Sequence, residues 1–213
     1  MSSAPDFLTE FPLVLASGSP RRAELLRQMG IWFEVIVSDE VEPEFDSSCG
    51  SPARFAERTA RLKMDSVAAR FEGRLILAAD TLVVVDNVVL GKPGDAMEAE
   101  EMLFALAGRT HEVVTGVAVG CGGNEGSLSV VNHASTRVTF APLDAATVRA
   151  YIATGEPMDK AGAYGIQGKG ACLVSHIEGC HFNVVGLPIR LVTDMLEHFR
   201  ITPARIWANK RLT

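Results

Sequence analysis

The chain has 213 residues, 47% of them apolar and 22% charged, with 20 Lys and Arg against 26 Asp and Glu for a formal net charge of −6. This suits a globular domain with a sizeable core, and the negative balance repels polyanions, so neither a nucleic-acid partner nor a membrane-surface role is expected. No run of about 18 apolar residues occurs, and Met1 to Glu10 lacks the basic start of a secretory signal, which gives the reading of a cytoplasmic protein.

Leu13 to Ala16 is a short apolar run that stops at Ser17. Arg22, Leu25, Leu26 and Met29 then recur at helical spacing before Gly30, predicting strand, loop, helix and a glycine stop. Trp32 to Val37 reads as a second strand, and Ser38 to Gly50 is acidic and irregular. Ser51 and Pro52 open a helix with the buried stripe Ala56, Ala60, Met64, Val67 and Phe71, and Lys63 lies one residue off that stripe. Leu75 to Ala79 is continuously apolar, predicting a strand buried on both faces that delivers Asp80 at its end.

Val83 to Val85 and Val88 to Leu90 flank Asp86-Asn87 as a hairpin leading into Gly91-Lys92-Pro93. Asp95 and Glu98 have the spacing of a capping box for a helix that reaches Leu106 and closes at Gly108. Two long β segments follow, His111 to Val119 and Leu128 to Phe140, joined by the turn-like Gly122 to Gly126, and then a helix from Asp144 to Thr154. Met158 to Gly170 reads as a functional loop, glycine-rich and carrying Asp159, Lys160, Gln167 and Lys169. A strand pair, Ala171 to His176 and Phe182 to Val185, precedes a helix from Pro188 to Phe199 with Leu191, Val192, Met195, Leu196 and Phe199 inward. The sum is an α/β protein built on one mixed, curved sheet with flanking helices. It forms a single domain over residues 11–202, with tails at 1–10 and 203–213.

The chemistry concentrates in Ser17-Gly18-Ser19-Pro20-Arg21-Arg22, between a buried strand and a helix. A capped helix start explains Ser19 and Pro20 but not the arginines, which oppose the helix dipole by about 0.3–1 kcal/mol per charge. A bound polyphosphate reverses that sign, meeting backbone N–H groups, the hydroxyls of Ser17 and Ser19 and two guanidinium forks. Asp80, ending an apolar run, is either a turn acid or a partly desolvated carboxylate that needs a cation or a metal. Glu40 offers a second oxygen ligand for Mg²⁺, in a loop that also holds Asp39, Glu42, Glu44 and Asp46. Lys63 and Lys92 are either phosphate ligands or surface lysines. The Gln167 amide can pair with the imide edge of uracil or thymine, or simply with its own loop backbone.

His111, His133, His176, His181 and His198 form no metal-binding pattern and read as structural or surface residues. Cys49, Cys121, Cys172 and Cys180 are scattered and read as reduced thiols. Gly91-Lys92-Pro93 and Gly168-Lys169-Gly170 lack the frame of a Walker loop.

The strings LASGSPRRAELL, AADT at 78–81, GKP at 91–93, DKAGAYGIQGKGA at 159–171 and NVVGLP at 183–188 together resemble the Maf family, in its order and over about residues 12–200. The resemblance implies a fold related to ITPase-like pyrophosphatases, with two lobes around a central cleft, and commonly a homodimer. It also implies hydrolysis of a nucleoside triphosphate between the α- and β-phosphates with a divalent cation, Mg, Mn or Co. It carries function onto Ser19, Arg21, Arg22, Glu40, Lys63, Asp80, Lys92 and Gln167, with Asp80 as proton acceptor and, with Glu40, metal ligand. Glu42 rivals Glu40. Arg21, Thr81 and Gln167 are implied determinants of base choice. AGAYGIQG is similar to the branch acting on dTTP and UTP, whereas a branch acting on 7-methyl-GTP has an acid in place of Gln167. The alternatives are that second substrate, or a nucleotide-binding regulator of cell division with little turnover.

Overall fold

The computed structural model describes residues 12–40, 43–45, 50–123 and 128–208. The run Leu-Val-Leu forms β1 (Leu13–Leu15), wholly buried, and Pro20 opens α1 (Pro20–Gln28). Gly30 stops that helix: at φ +74° its N–H donates to Arg27 O, while the Ile31 N–H donates to Leu26 O, the paired bonds of a Schellman turn. β2 (Phe33–Val35) leads through an extended segment to α2 (Pro52–Ala68), where Ser51 Oγ accepts the Arg54 N–H at 3.3 Å. β3 (Leu75–Val85) and β4 (Val88–Leu90) form the expected hairpin over Asp86 and Asn87, both at positive φ.

α3 (Ala96–Leu106) is capped by Asp95, which accepts the Glu98 N–H at 2.8 Å. Glu98 returns its bond to Gly94 N–H rather than to Asp95, one residue off the expected box. β5 (Thr110–Cys121), β6 (Ser129–Phe140) and α4 (Ala145–Ile152) follow. Short 3₁₀ turns at Glu156–Asp159, Ala161–Ala163 and Gly168–Leu173 then lead to β7 (Val174–Glu178), α5 (His181–Val185), α6 (Ile189–Glu197) and α7 (Pro203–Ala208).

The strands form one open mixed sheet in the order β2-β1-β3-β5-β6-β7, with β4 also on β3. β1 runs parallel to β2 and β3, and the other pairs are antiparallel. Along β3, Leu75, Leu77, Ala79, Val83 and Val85 enter the larger core with residues of α1, α3, α4 and α6. Ile76 and Ala78 face Ala60, Met64 and Val67 of α2 from the opposite side, and Leu82 and Val84 meet Phe55 and Ala56. Burial on both faces is why the strand reads as unbroken apolar sequence rather than as alternation.

α2 lies unusually close to β5. A Cβ on Gly116 would sit 2.3 Å from the Ala56 carbonyl group, and one on Gly122 would sit 1.9 Å from Phe71 O. The sheet is also interrupted in one place. β1 pairs with β3 only at Ile76 and Leu77, and β4 joins the same strand only from Val83, so among the described residues no strand lies beside the edge between 78 and 82.

Four expectations change. Asp80 lies in mid-strand, not at the strand's end, because β3 runs on to Val85. Phe182 to Val185 is helical within α5: the buried Asn183 donates to Val113 O at 2.9 Å and Thr136 Oγ1 at 3.0 Å, and Gly186 at φ +118° ends the turn. Ala171 to Leu173 belongs to a 3₁₀ turn, so β7 begins only at Val174. The chain also continues as α7, where Thr202 Oγ1 accepts the Arg205 N–H and Ile206 is buried. Among the described residues no helix is long and apolar enough to cross a membrane. Cys121, Cys172 and Cys180 are free thiols, and Cys49 lies outside the described residues.

Candidate active site

The interruption beside β3 opens into a cleft of about 430 Å³. Its wall brings together Ser17, Ser19, Arg21, Arg22, Glu40, Lys63, Asp80, Thr81, Lys92 and Gln167, so these candidates for phosphate, metal and base line one cavity, while Lys169 of the functional loop does not. Side-chain alternation on β3 sends Asp80 to the α2 side and Thr81 to the other, and the cleft reaches both.

Ser19 is the N-cap of α1 by position, with extended backbone, but its side chain makes no cap bond. Ser17 organises the corner instead, its Oγ accepting the Ser19 N–H at 3.2 Å and Arg22 Nη1 at 3.0 Å. Arg22 also donates from Nε to Gly186 O at 2.8 Å and from Nη2 to Thr81 Oγ1 at 3.1 Å. Its guanidinium is therefore held in advance at the cleft wall by Ser17, Gly186 and Thr81. Thr81 Oγ1 lies 2.9 Å from Thr115 Oγ1, which donates to Asn183 O, so the Arg22 anchor runs through the sheet to α5. Arg21 is ion-paired with Asp159 at 3.2 Å, across the cleft. Partial burial pushes the Asp159 carboxyl up, but Lys160 and Arg21 outweigh it and hold the group below the usual carboxylate range.

On the α2 side Lys63 donates to Asp80 Oδ1 at 2.7 Å, with each side chain only 10% exposed. The spacing put Lys63 beside the buried stripe, but the helix turns it inward because Asp80 needs a cation in a desolvated place. Glu40 sits on the exposed segment after β2, its N–H donating to Ser38 Oγ at 3.2 Å, and Ser38 Oγ lies 2.8 Å from Ser66 Oγ of α2. Its rival Glu42 lies outside the described residues. Among those residues no cluster of three or more His, Cys, Asp or Glu is present. A divalent cation at Asp80 and Glu40 would complete its shell with ligand and water oxygens, a donor set that suits Mg²⁺.

Lys92 projects from the corner after β4, which is docked by the Gly162 N–H donating to Gly91 O at 2.9 Å. Gln167, exposed, precedes the turn Gly168–Leu173. The histidines lie elsewhere. His111 is buried with its Nε2 2.8 Å from Tyr164 Oη, and His133 pairs with Glu57.

Residues 12–199 match the family described as Maf-like protein. The chain belongs to the Maf family. Among its Maf relatives, the dTTP/UTP pyrophosphatase of Symbiobacterium thermophilum is 52% identical over 190 residues, covering 88% of this chain and 93% of that one. The dTTP/UTP pyrophosphatase of Nitratidesulfovibrio vulgaris is 48% identical over 197 residues, covering 92% and 91%. That of Bacillus cytotoxicus is 49% identical over 186 residues, covering 87% and 94%.

In this Maf chain the cleft also holds groups that pattern reading placed in a functional loop or motif without an individual role. Asp159 pairs with both Arg21 and Lys160, and Tyr164, Ile166 and Gly186 complete the wall. Asp159 stood inside a recognised string, but its partner is 138 residues away in sequence. No local signal links the two.

Proposed function

We propose that this Maf protein hydrolyses dTTP and UTP between the α- and β-phosphates, releasing the monophosphate and pyrophosphate. The observation that carries the reading is the convergence of Arg21, Arg22, Lys63 and Lys92 with two carboxylates, Asp80 and Glu40, in one cleft of a chain whose net charge is −6. Such a concentration of cations is strange in an acidic protein unless a polyanion is to be held there. The names of the relatives support a pyrimidine triphosphate.

In this mechanism the arginines at the start of α1 take the phosphate chain, with first-turn backbone N–H groups as further donors. Arg22 is held in advance by Ser17, Thr81 and Gly186, so little rotamer freedom is lost on binding. Arg21 exchanges Asp159 for phosphate. Asp80 orients a water and takes its proton as the oxygen attacks the α-phosphorus in line with the departing pyrophosphate. Lys63 keeps Asp80 in place and adds positive charge beside the reacting group. Asp80 and Glu40 would hold a divalent cation, which would neutralise charge on phosphate oxygens. Gln167 reads N3–H and a carbonyl of the base.

The reading includes a homodimer, carried over from the family, a cytoplasmic location, in keeping with the lack of a membrane-length apolar helix among the described residues, and a single domain over residues 11–202, supported by the match at 12–199. The acidic balance supports the absence of a nucleic-acid partner. Product analysis with a panel of nucleoside triphosphates and Mg²⁺, Mn²⁺ or Co²⁺ tests the activity. Monophosphate and pyrophosphate, formed fastest from dTTP and UTP and abolished by a chelator, is the expected result. Diphosphate and phosphate, or no turnover, overturns it.

A further inference from the structure

Gln167 lies on a turn that regular secondary structure does little to hold, yet that turn is tied down by two side chains outside the cleft. Glu156 Oε1 accepts the Gly170 N–H at 3.0 Å and its Oε2 accepts the Lys169 N–H at 3.1 Å. Tyr151 Oη accepts the Gly165 N–H at 3.1 Å and donates its own proton to Glu156 Oε1 at 3.0 Å. Backbone groups on both sides of Gln167 thus end on one carboxylate and one phenol.

The fit leaves no slack. A Cβ on Gly170 would lie 2.2 Å from Gly165 O and 2.6 Å from Tyr151 Oη, and one on Gly168, at φ +65°, would lie 2.9 Å from Glu156 Oε2. Residues 165 and 170 are therefore pinched together at the foot of the turn, with Gln167 between them. Burial pushes the Glu156 carboxyl up, but the N–H groups of Gly170 and Lys169 outweigh it, so it stays ionised and its bonds are charge-assisted. Burial pushes the Tyr151 phenol up, which keeps it a donor. Tyr151 belongs to α4 and is itself buried, so the clamp refers the turn to the helical layer rather than to the cleft.

We propose that Glu156 and Tyr151 are positioning residues for Gln167 that set base selectivity without touching the nucleotide. The inference rests on Gln167 facing the base. Neither residue lines the cleft, so their effect reaches substrate through what they hold: the Gln167 turn, which bears on the base, and, through the Glu156 carbonyl that accepts from Lys160 Nζ, the Lys160–Asp159 pair beside Arg21, which would act on every nucleotide alike. A displacement of about 1 Å at a substrate-positioning group costs on the order of a hundredfold. Losing the clamp should therefore lower kcat/KM for dTTP and UTP by about ten- to a hundredfold, chiefly through KM. Nucleotides whose base does not match Gln167 should be turned over almost as before.

The test compares kcat and KM for UTP, dTTP, CTP and ATP in Glu156→Ala, Tyr151→Phe, Gln167→Glu, Gln167→Ala and the Glu156→Ala/Gln167→Ala double variant. The expected result is a collapse of the UTP-to-CTP ratio in the clamp variants. Once Gln167 is already Ala, Glu156→Ala should change that ratio by less than about twofold, because coupled residues are not additive. Equal losses on every nucleotide, or additive losses in the double variant, mean a general structural role and overturn the proposal. If Gln167→Glu shifts the base ranking while Glu156→Ala and Tyr151→Phe do not, the proposal fails and the reading of Gln167 stands. If Gln167→Glu leaves the ranking intact, the reading of Gln167 itself falls. Should Glu156→Ala not fold, Tyr151→Phe, which keeps the ring and removes only the hydroxyl that accepts from Gly165 and donates to Glu156, carries the same comparison.

Discussion

Lys63 and Asp80 are two charges taken out of water together, 2.7 Å apart. Removing one partner of such a pair leaves the other desolvated, so Lys63→Met should destabilise the fold by roughly 3–5 kcal/mol in urea denaturation. The Lys63→Met/Asp80→Leu double variant should recover much of that loss, because the buried charge has gone as well. Activity should separate from stability: Asp80→Asn keeps shape and a hydrogen-bonding oxygen, yet turnover should fall by about 10²–10⁴ if the carboxylate takes the proton. Near-normal turnover in that variant, with unchanged metal demand, would remove Asp80 from the proposed mechanism. The residue types themselves were readable from sequence, since Ser17, Arg21, Arg22 and Asp80 sit where simple structural explanations run short. The burial of Lys63 was not. Helical spacing ranks it beside the stripe, and only the facing acid on another element decides which way it turns.

Elements were legible where periodicity or capping chemistry was local. Ser51-Pro52, the Asp86-Asn87 hairpin and the Gly30 stop all formed as expected. Prediction failed where tertiary contacts overrule propensity. Aspartate is rare in strands, so β3 seemed to end at Asp80, yet pairing with β5 carries it five residues further. Phe182 to Val185 has β-forming composition, but the buried bonds of Asn183 to Val113 O and Thr136 Oγ1 and the Gly186 stop hold it as a helical turn. Thr202-Pro203 is a local helix-start signal, a hydroxyl cap followed by proline at the first helical position, and it opens α7 inside the segment whose sequence reads as a tail. Gly116 tests how far α2 depends on close approach. Gly116→Ala must push the Ala56 and Glu57 backbone outward, and should cost about 1–3 kcal/mol in denaturant titration. Because α2 also carries Lys63, the variant should lose activity at temperatures where it is still folded, read by comparing turnover with the circular dichroism melt.

For the molecule as a whole, acid stability should reflect His111. Burial holds its pKa at about 4, against 6.5 for the ordinary group, among Phe140 and Tyr164. The unfolded chain therefore binds a proton that the folded one refuses. Stability is full above pH 6.5 and falls as the pH drops towards 4, by up to roughly 3 kcal/mol from this group. His111→Phe should be less stable at pH 7, since Tyr164 loses its partner, but should show a flatter decline between pH 6.5 and 5 in urea titrations. The break in pairing along β3 has its own outcome at this scale. Five residues at about 3.3 Å each leave a window of roughly 16 Å, bounded at one end by β1 and at the other by β4. An aggregating strand needs a longer open margin than this, whereas a nucleotide fits within it, so the protein can leave peptide groups within a ligand's reach without inviting a neighbouring chain to pair with them.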